Sequence, residues 1–179
     1  MADHKVIKES LVSLHAQEFF KLYFGDDAEF LMTKFFEMRG ELNISSTPWS
    51  DPVGEEAKYD NQTVLRTKII KMKVQIKGNP FVKEAPTTKN FKLIENSENK
   101  IVLKILNKTT DVPYCDSFAV EEELLIASLP ATKCCVVRLS YCLRWYKSTM
   151  MKSLIKSNTD AESEKSANAY KQWIIDNGH

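Results

Sequence analysis

Two carboxylates flank a proline and a tyrosine in the segment Asp111-Val112-Pro113-Tyr114-Cys115-Asp116. Paired carboxylates of this kind can serve as a general acid and a general base. Aspartates beside a proline more often accept backbone N–H groups and fix a turn, and we assign this structural role to Asp111, Pro113 and Asp116. The sequence also lacks G-x-S-x-G, a glycine-rich phosphate loop and H-E-x-x-H. We therefore expect no catalytic residues and no enzyme activity.

Metal chemistry is disfavoured as well. The four cysteines, Cys115, Cys134, Cys135 and Cys142, include no C-x-x-C pair, and the chain has only three histidines. Structural zinc sites need such paired ligands at short spacing. We interpret the cysteines as reduced thiols packed like small apolar side chains, and we expect neither a metal nor a cofactor.

The composition is that of one globular domain, with 179 residues of which 43% are hydrophobic and 27% charged. The 25 basic and 24 acidic residues nearly cancel, so charge gives no argument for a nucleic-acid partner. No apolar run approaches the roughly 18 residues of a membrane-spanning helix. No signal peptide is evident either, and we expect the chain as given to be soluble.

Apolar periodicity predicts the order of the structural elements. We predict that residues 1–10 are a flexible polar segment and that residues 11–179 form a single domain. Two helices should follow, one with an aromatic face over Phe19–Phe24 and one over Ala28–Met38. The predicted strands cover Leu42–Trp49, Val64–Ile76, Thr88–Glu95, Lys100–Asn107, Phe118–Ala127 and Cys134–Tyr146. Helical spacing returns after Ser148, as one long helix or two.

This order of two helices, about six antiparallel strands and a C-terminal helix indicates an α+β fold. A wide curved sheet exposes an apolar concave face, and a long C-terminal helix is its natural cover. We predict a helix-grip, in which a strongly curved sheet separates from that helix and leaves a cavity. Glu122 interrupts the apolar face of its strand, which places it either at an exposed end or within the cavity.

The segment Gln75–Pro86 joins two strands with more residues than a tight hairpin needs. It displays Phe81 and Val82 among Lys77 and Lys83. Apolar side chains ringed by lysines suit an anionic membrane, because they enter the interface and each lysine adds about 1 kcal/mol. The alternative is an ordinary surface loop whose Phe81 folds back onto the core, and composition alone does not separate the two.

Several motifs in the same order resemble those of one family. The matching pieces are Phe19–Phe24 with Gly25-Asp26-Asp27, Trp49, Arg66, Asn79-Pro80-Phe81, Asp111–Phe118 and Leu139–Trp145. Together they resemble a VASt domain, the StART-like sterol-transfer module of the Lam and Aster membrane-contact-site proteins. The lid segment Phe81–Pro86 departs from the Gly-Pro or Ala-Pro followed by lysine that many members carry.

The resemblance implies a cavity that holds one sterol, ergosterol- or cholesterol-like, and moves it between membranes. A sterol is almost wholly apolar, so burial at about 25 cal/mol per Å² can supply the affinity. The expected cavity walls are Ile69, Leu103, Phe118, Val120, Val137, Leu139, Tyr141, Leu143, Leu154 and Ile155. The expected lid is Gly78, Asn79, Pro80, Phe81 and Val82, with Lys77 and Lys83 facing an anionic membrane.

The same resemblance implies a monomeric, cytosol-facing domain of a protein anchored in the endoplasmic reticulum, acting at membrane contact sites. We assign Trp145 and Trp173 to the core. The alternative function is a module of the same fold that senses a lipid or binds a protein without transferring anything.

Overall fold

A computed structural model describes residues 4–76 and 82–179. In chain order the elements are β1 (Lys5–Val12), α1 (Ala16–Phe24), α2 (Met32–Met38), β2 (Leu42–Ser46), a 3-10 turn (Gly54–Ala57), β3 (Lys58–Tyr59), β4 (Gln62–Thr63), β5 (Arg66–Gln75), β6 (Glu84–Asn96), β7 (Lys100–Thr109), β8 (Phe118–Ser128), β9 (Cys135–Trp145) and α3 (Lys152–Asp176).

Seven strands form one antiparallel sheet in the order β1-β9-β8-β7-β6-β5-β2, and β3 and β4 form a separate small hairpin. With two N-terminal helices and a long C-terminal helix, this arrangement confirms the predicted α+β helix-grip. The sheet has seven strands where about six were predicted.

The additional strand corrects one prediction. Residues 1–10 were expected to be flexible, yet Lys5–Val12 pairs along β9 and forms one edge of the sheet. The polar residues of this segment indicated a flexible region, but an edge strand can also be polar because it can expose one whole face to solvent. Glu9 on that face lies 2.7 Å from Arg138 Nε on β9, while Val12 is buried. As the edge strand of the sheet, β1 carries charged residues, which disfavour pairing of its free backbone edge with another chain.

Alternation along the strands gives the sheet an inner face and an outer face. Ile70, Phe91, Leu103, Leu124 and Val137 lie on the inner face and belong to one buried hydrophobic cluster. Helix α1 and the second half of α3 pack on this cluster, and the α1 residues Phe19 and Tyr23 are fully buried within it.

Helix α3 is one continuous helix over Lys152–Asp176, which settles whether this region forms one helix or two. Its buried residues, Ser163, Ala167, Tyr170, Trp173 and Ile174, all lie in its second half. The burial of Trp173 therefore confirms its predicted place in the core. Trp145 at the end of β9 is only partly buried, so its assignment to the core is wrong. No helix among the described residues is both long enough and apolar enough to cross a membrane.

The polar middle of α3 is held by contacts from both sides. Asp160 lies 3.4 Å from Lys5 on β1, and Glu162 lies 3.0 Å from Arg39 at the end of α2. None of the α3 residues before Asp160 is fully buried, and Leu154 is 51% exposed. The first half of α3 therefore contributes no side chain to the buried core.

Candidate functional site

The inner face of the sheet is densely packed over only part of its area. Ile101, Leu103 and Ile126 are completely buried. Towards the start of β8 and the end of β9, Phe118, Val120, Leu143 and Trp145 share this inner face yet remain partly exposed. Apolar side chains on the covered face of a sheet stay accessible only where no element packs against them. They therefore mark a part of the inner face against which no helix packs closely.

We call this region the inner hollow and define it by Phe118, Val120, Leu143, Trp145, Lys89, Asn107 and Glu122. Its neighbours fix its position in the fold. Lys152 Nζ at the start of α3 lies 5.2 Å from the Trp145 ring centre, and the Phe118 and Trp145 rings are 5.6 Å apart. Lys89 Nζ lies 5.7 Å from the ring of Phe36 on α2. The hollow is thus bounded by the sheet, the end of α2 and the first turns of α3.

Three polar side chains form the floor of the inner hollow. Lys89 Nζ donates to Asn107 Oδ1 at 2.7 Å and lies 3.4 Å from Glu122 Oε2. The side chains of Lys89 and Glu122 are 15% and 18% exposed. Glu122 therefore lies on the inner face as part of a compact polar group rather than at an exposed end of its strand. An ammonium, an amide and a carboxylate can together donate to and accept from a single hydroxyl group.

Lys89 and Asn107 were missed by the sequence analysis, although a signal was present. Lys89 is in phase with Phe91 and Leu93 on β6, and Asn107 is in phase with Ile105 on β7. A polar residue that continues an apolar alternation marks a polar position on the inner face. That signal could have identified both residues.

The predicted wall residues fall into distinct groups. Leu103 and Val137 belong to the buried cluster, and Leu139 packs against it. Tyr141 is buried opposite Glu122. The hollow itself contains Phe118, Val120 and Leu143. On α3, Ile155 is partly buried, whereas Leu154 is mostly exposed.

Ile69 was wrongly placed among the cavity walls. It pairs with Asn90, while the next residue, Ile70, pairs with Lys89 and is buried on the inner face. Successive residues of a strand point to opposite faces, so Ile69 lies on the outer face. Two adjacent isoleucines leave the phase of the strand ambiguous in the sequence, and pairing with β6 decides it.

Four of the predicted lid residues, Gly78, Asn79, Pro80 and Phe81, lie outside the described residues, and so does Lys77. Val82 is partly buried and Lys83 is exposed. Ile76 N donates to Lys83 O at 2.8 Å.

A separate cleft of about 230 Å³ lies between the two N-terminal helices and the β2–β5 side of the sheet. Its lining includes Met32, Ile70 and Phe91 together with Asp26 and Lys68, whose charged atoms are 3.2 Å apart. None of the predicted wall residues borders it. Its volume falls below the roughly 300–1,000 Å³ of typical small-molecule pockets.

Residues that carry the family resemblance meet beside this cleft. Trp49 Nε1 donates to Phe24 O at 2.7 Å, and Trp49 N donates to Asp26 Oδ1 at 2.9 Å. Arg66 Nη2 donates to Trp49 O at 2.8 Å. These bonds join the end of α1 to the segments around β2 and β5. The motif residues therefore have a structural role.

The Asp111–Phe118 segment connects β7 to β8 through a loop. Asp111 and Tyr114 adopt positive φ angles of 61° and 64°, and Tyr146 N donates to Ser117 O at 2.8 Å. Asp116 is exposed, and its hydrogen bond with Lys147 lowers the pKa of Asp116. The loop is thus tied to the connection between β9 and α3.

The outer face carries a buried carboxylate, Glu121, which is completely inaccessible. Burial opposes its ionisation, but hydrogen bonds from Arg144 and Tyr59 outweigh this effect and lower the pKa of Glu121. Lys104 Nζ lies 3.4 Å from Glu121 Oε1 and 2.6 Å from Glu123 Oε2. Glu121 is therefore a satisfied member of an ion network.

This network includes donor atoms that could hold a metal ion. Those of His4, Glu121 and Cys142 all lie within 4.8 Å of one another. However, Lys104 Nζ lies 3.5 Å from His4 Nε2 and contacts the same carboxylate. Burial also raises the pKa of Cys142 to about 11, which opposes the thiolate form that binds metals. The local charges therefore disfavour a cation.

Comparison with known proteins adds two findings. A family model described as VASt, "VAD1 Analog of StAR-related lipid transfer domain", matches residues 6–162. The chain is also similar to "Protein VASCULAR ASSOCIATED DEATH 1, chloroplastic" of Arabidopsis thaliana, with 24% identity over 175 residues. That match covers 97% of this chain and 27% of the relative, so the chain spans about a quarter of the relative's length.

Proposed function

This chain belongs to the VASt family of StART-like, lipid-binding domains, and we propose that it binds one sterol molecule in the inner hollow and transfers it between membranes. The hollow supports this proposal through one observation. Phe118, Val120 and Leu143 lie on the inner face of the sheet yet remain partly accessible, and a compact polar group lies on the same face beside them.

The chemistry of the hollow matches a ligand with a large apolar body and one polar end. Burying a few hundred Å² of apolar surface at about 25 cal/mol per Å² amounts to several kcal/mol. The sterol hydroxyl would lie at Lys89, Asn107 and Glu122. An unpartnered buried hydroxyl costs about 1–3 kcal/mol, so this polar group also selects against a wholly apolar ligand.

We further propose that Gly78–Val82 acts as the lid and that Lys77 and Lys83 face an anionic membrane. A loop that opens at the bilayer lets the ligand exchange without crossing bulk water. The parent protein would belong to the Lam and Aster group, with an anchor in the endoplasmic reticulum, and this single monomeric domain would act at contact sites. No catalytic step is proposed.

The direct test is transfer of a fluorescent sterol between donor and acceptor liposomes. Wild-type protein should accelerate transfer, and Lys89→Met should slow it because the hydroxyl loses its donor. Lys68→Met is the matched control, since Lys68 also lies on the inner face but borders the separate cleft. Equal loss in both variants would contradict the proposed hydroxyl site.

Stoichiometric binding without transfer would instead favour the lipid-sensing alternative. The absence of any lipid binding would overturn both functions. Titration of the sterol into protein without acceptor liposomes separates these outcomes, because it measures binding alone.

A further inference from the structure

The connection between β9 and α3 combines basic and exposed apolar side chains. The segment Tyr146–Lys156 contains three lysines and no acidic residue. Tyr146 is 54% exposed, Met150 is 102% exposed and Leu154 is 51% exposed. We call Tyr146, Lys147, Met150, Lys152, Leu154 and Lys156 the basic rim. Large exposed apolar groups cost solubility, so their concentration in one basic segment indicates an interaction surface.

The positive charge of the basic rim is opposite in sign to the charge that the N-terminus of helix α3 favours. Helix α3 begins after Met151, and its first turn has no acidic residue and no side-chain cap. A helix N-terminus carries partial positive charge and favours Asp, Glu, Ser or Thr there. Lys152 instead adds positive charge. Such a conflict between local sequence and local structure is typical of functional sites.

The charges of the basic rim are only partly compensated. Lys147 pairs with Asp116. Among residues 4–76 and 82–179, no carboxylate forms an ion pair with Lys152 or Lys156. The helix start and these two lysines therefore leave a positive surface beside the exposed methionine.

The basic rim adjoins the mouth of the inner hollow. Lys152 Nζ lies 5.2 Å from the Trp145 ring, which packs beside Phe118 of the hollow. Asp116, on the β7–β8 loop that also exposes Tyr114, contacts Lys147. These contacts place Lys147 and Lys152 at the end of the sheet where the inner hollow lies, and Met150 lies between them along the chain.

We propose that the basic rim is a membrane-docking surface whose partner is an anionic phospholipid bilayer. Lysines at a bilayer are attracted by lipid phosphates, and Met150 and Leu154 have an apolar phase to enter. Nucleic acid would match the charge but would leave the exposed methionine and leucine unpartnered. The inference rests on the proposed function, because docking here turns the hollow towards the membrane. The proposed membrane contact is made by described residues that lie outside the predicted lid.

The experiment is co-sedimentation with vesicles of phosphatidylcholine alone and of equal parts phosphatidylcholine and phosphatidylserine. Wild type should bind the mixed vesicles preferentially. At about fivefold per lysine, Lys152→Glu with Lys156→Glu should weaken that binding at least about 25-fold. The matched control is Lys133→Glu with Lys171→Glu, which makes the same charge change at exposed positions far from the rim along the chain. It should bind nearly as wild type, because charges more than about 10 Å from the bilayer are screened.

A second variant removes the apolar contact without changing charge. Met150→Ser should weaken binding about tenfold, because roughly the burial free energy of one methionine is lost. Met150 is fully exposed, so the variant should retain the wild-type thermal melt. Equal binding by the rim and control lysine variants, or no effect of Met150→Ser, would overturn the docking surface.

Sterol delivered from cyclodextrin, without vesicles, separates this inference from the proposed function. The rim variants should bind that sterol as wild type does. Charge-dependent vesicle binding by a protein that takes up no sterol would support docking and reject transport. Sterol uptake by a protein that ignores anionic vesicles would overturn docking alone.

Discussion

Filling the inner hollow should weaken ligand binding about tenfold at little cost in stability. The informative change is Val120→Phe, because Val120 faces inwards on β8 but remains partly exposed. The matched control is Val137→Phe on the neighbouring strand β9. Val137 is 5% exposed and belongs to the buried hydrophobic cluster. Both variants introduce the same ring on the same face of the sheet.

The two positions predict opposite effects. Over-packing a filled core costs about 1–3 kcal/mol, so Val137→Phe should lower the free energy of unfolding by that amount. Val120→Phe adds its ring to open space and should change it by less than about 0.5 kcal/mol. The added ring should also occupy space in the hollow and remove roughly 60 Å² of apolar contact between protein and ligand. This loss weakens the binding free energy by about 1.5 kcal/mol and raises Kd about tenfold.

Urea unfolding and sterol titration measure the two quantities on the same preparations. The expected pattern is a stable Val120→Phe protein with weak binding and a destabilised Val137→Phe protein that binds well while folded. If Val120→Phe is the more destabilised variant, its surroundings are packed core and the inner hollow is not a cavity. If its sterol affinity is unchanged, the ligand lies elsewhere.

Other parts of the structure give separate tests. Glu121→Gln should lower the free energy of unfolding by about 3 kcal/mol, because it leaves buried cations without their partner. Glu123→Gln, at the partly exposed edge of the same ion network, should lower it by less than about 1 kcal/mol. Equal losses in urea unfolding would contradict the buried network. Because the pKa of Glu121 is lowered in the folded state, its stabilisation is complete at neutral pH and is lost as the pH falls below the unfolded value of about 4.3 towards the folded one. Acid unfolding should therefore be less steep in Glu121→Gln than in wild type. Iodoacetamide should modify the partly exposed Cys115 in the native protein and spare Cys142, which is buried and has a pKa raised to about 11. If peptide mass mapping found Cys142 modified first, its burial would be rejected.

Local pattern was sufficient for most strands because inward-facing positions carry large apolar residues. The alternation of Val137, Leu139, Tyr141 and Leu143 predicts β9 and its inner face correctly. It failed for Lys5–Val12, where one face of an edge strand is solvated and the alternation is weak. It also failed to resolve the face of Ile69, where the next residue is equally apolar.

The location of the hollow could not be read from the sequence. Leu103 and Val120 have the same apolar character and lie on the same face of the sheet. Only the docking of the helices distinguishes them, because tertiary packing buries one and leaves the other accessible. The polar floor was more accessible to prediction, since Lys89 continues the alternation of Phe91 and Leu93.

Native mass spectrometry of the wild-type domain and Val120→Phe, each loaded with sterol, tests the central claim most directly. We expect one sterol per wild-type chain and, at a sterol concentration near the wild-type Kd, several-fold lower occupancy of the folded Val120→Phe variant. A wild-type chain that carries no sterol, or a Val120→Phe chain that carries as much as wild type, would contradict the central claim.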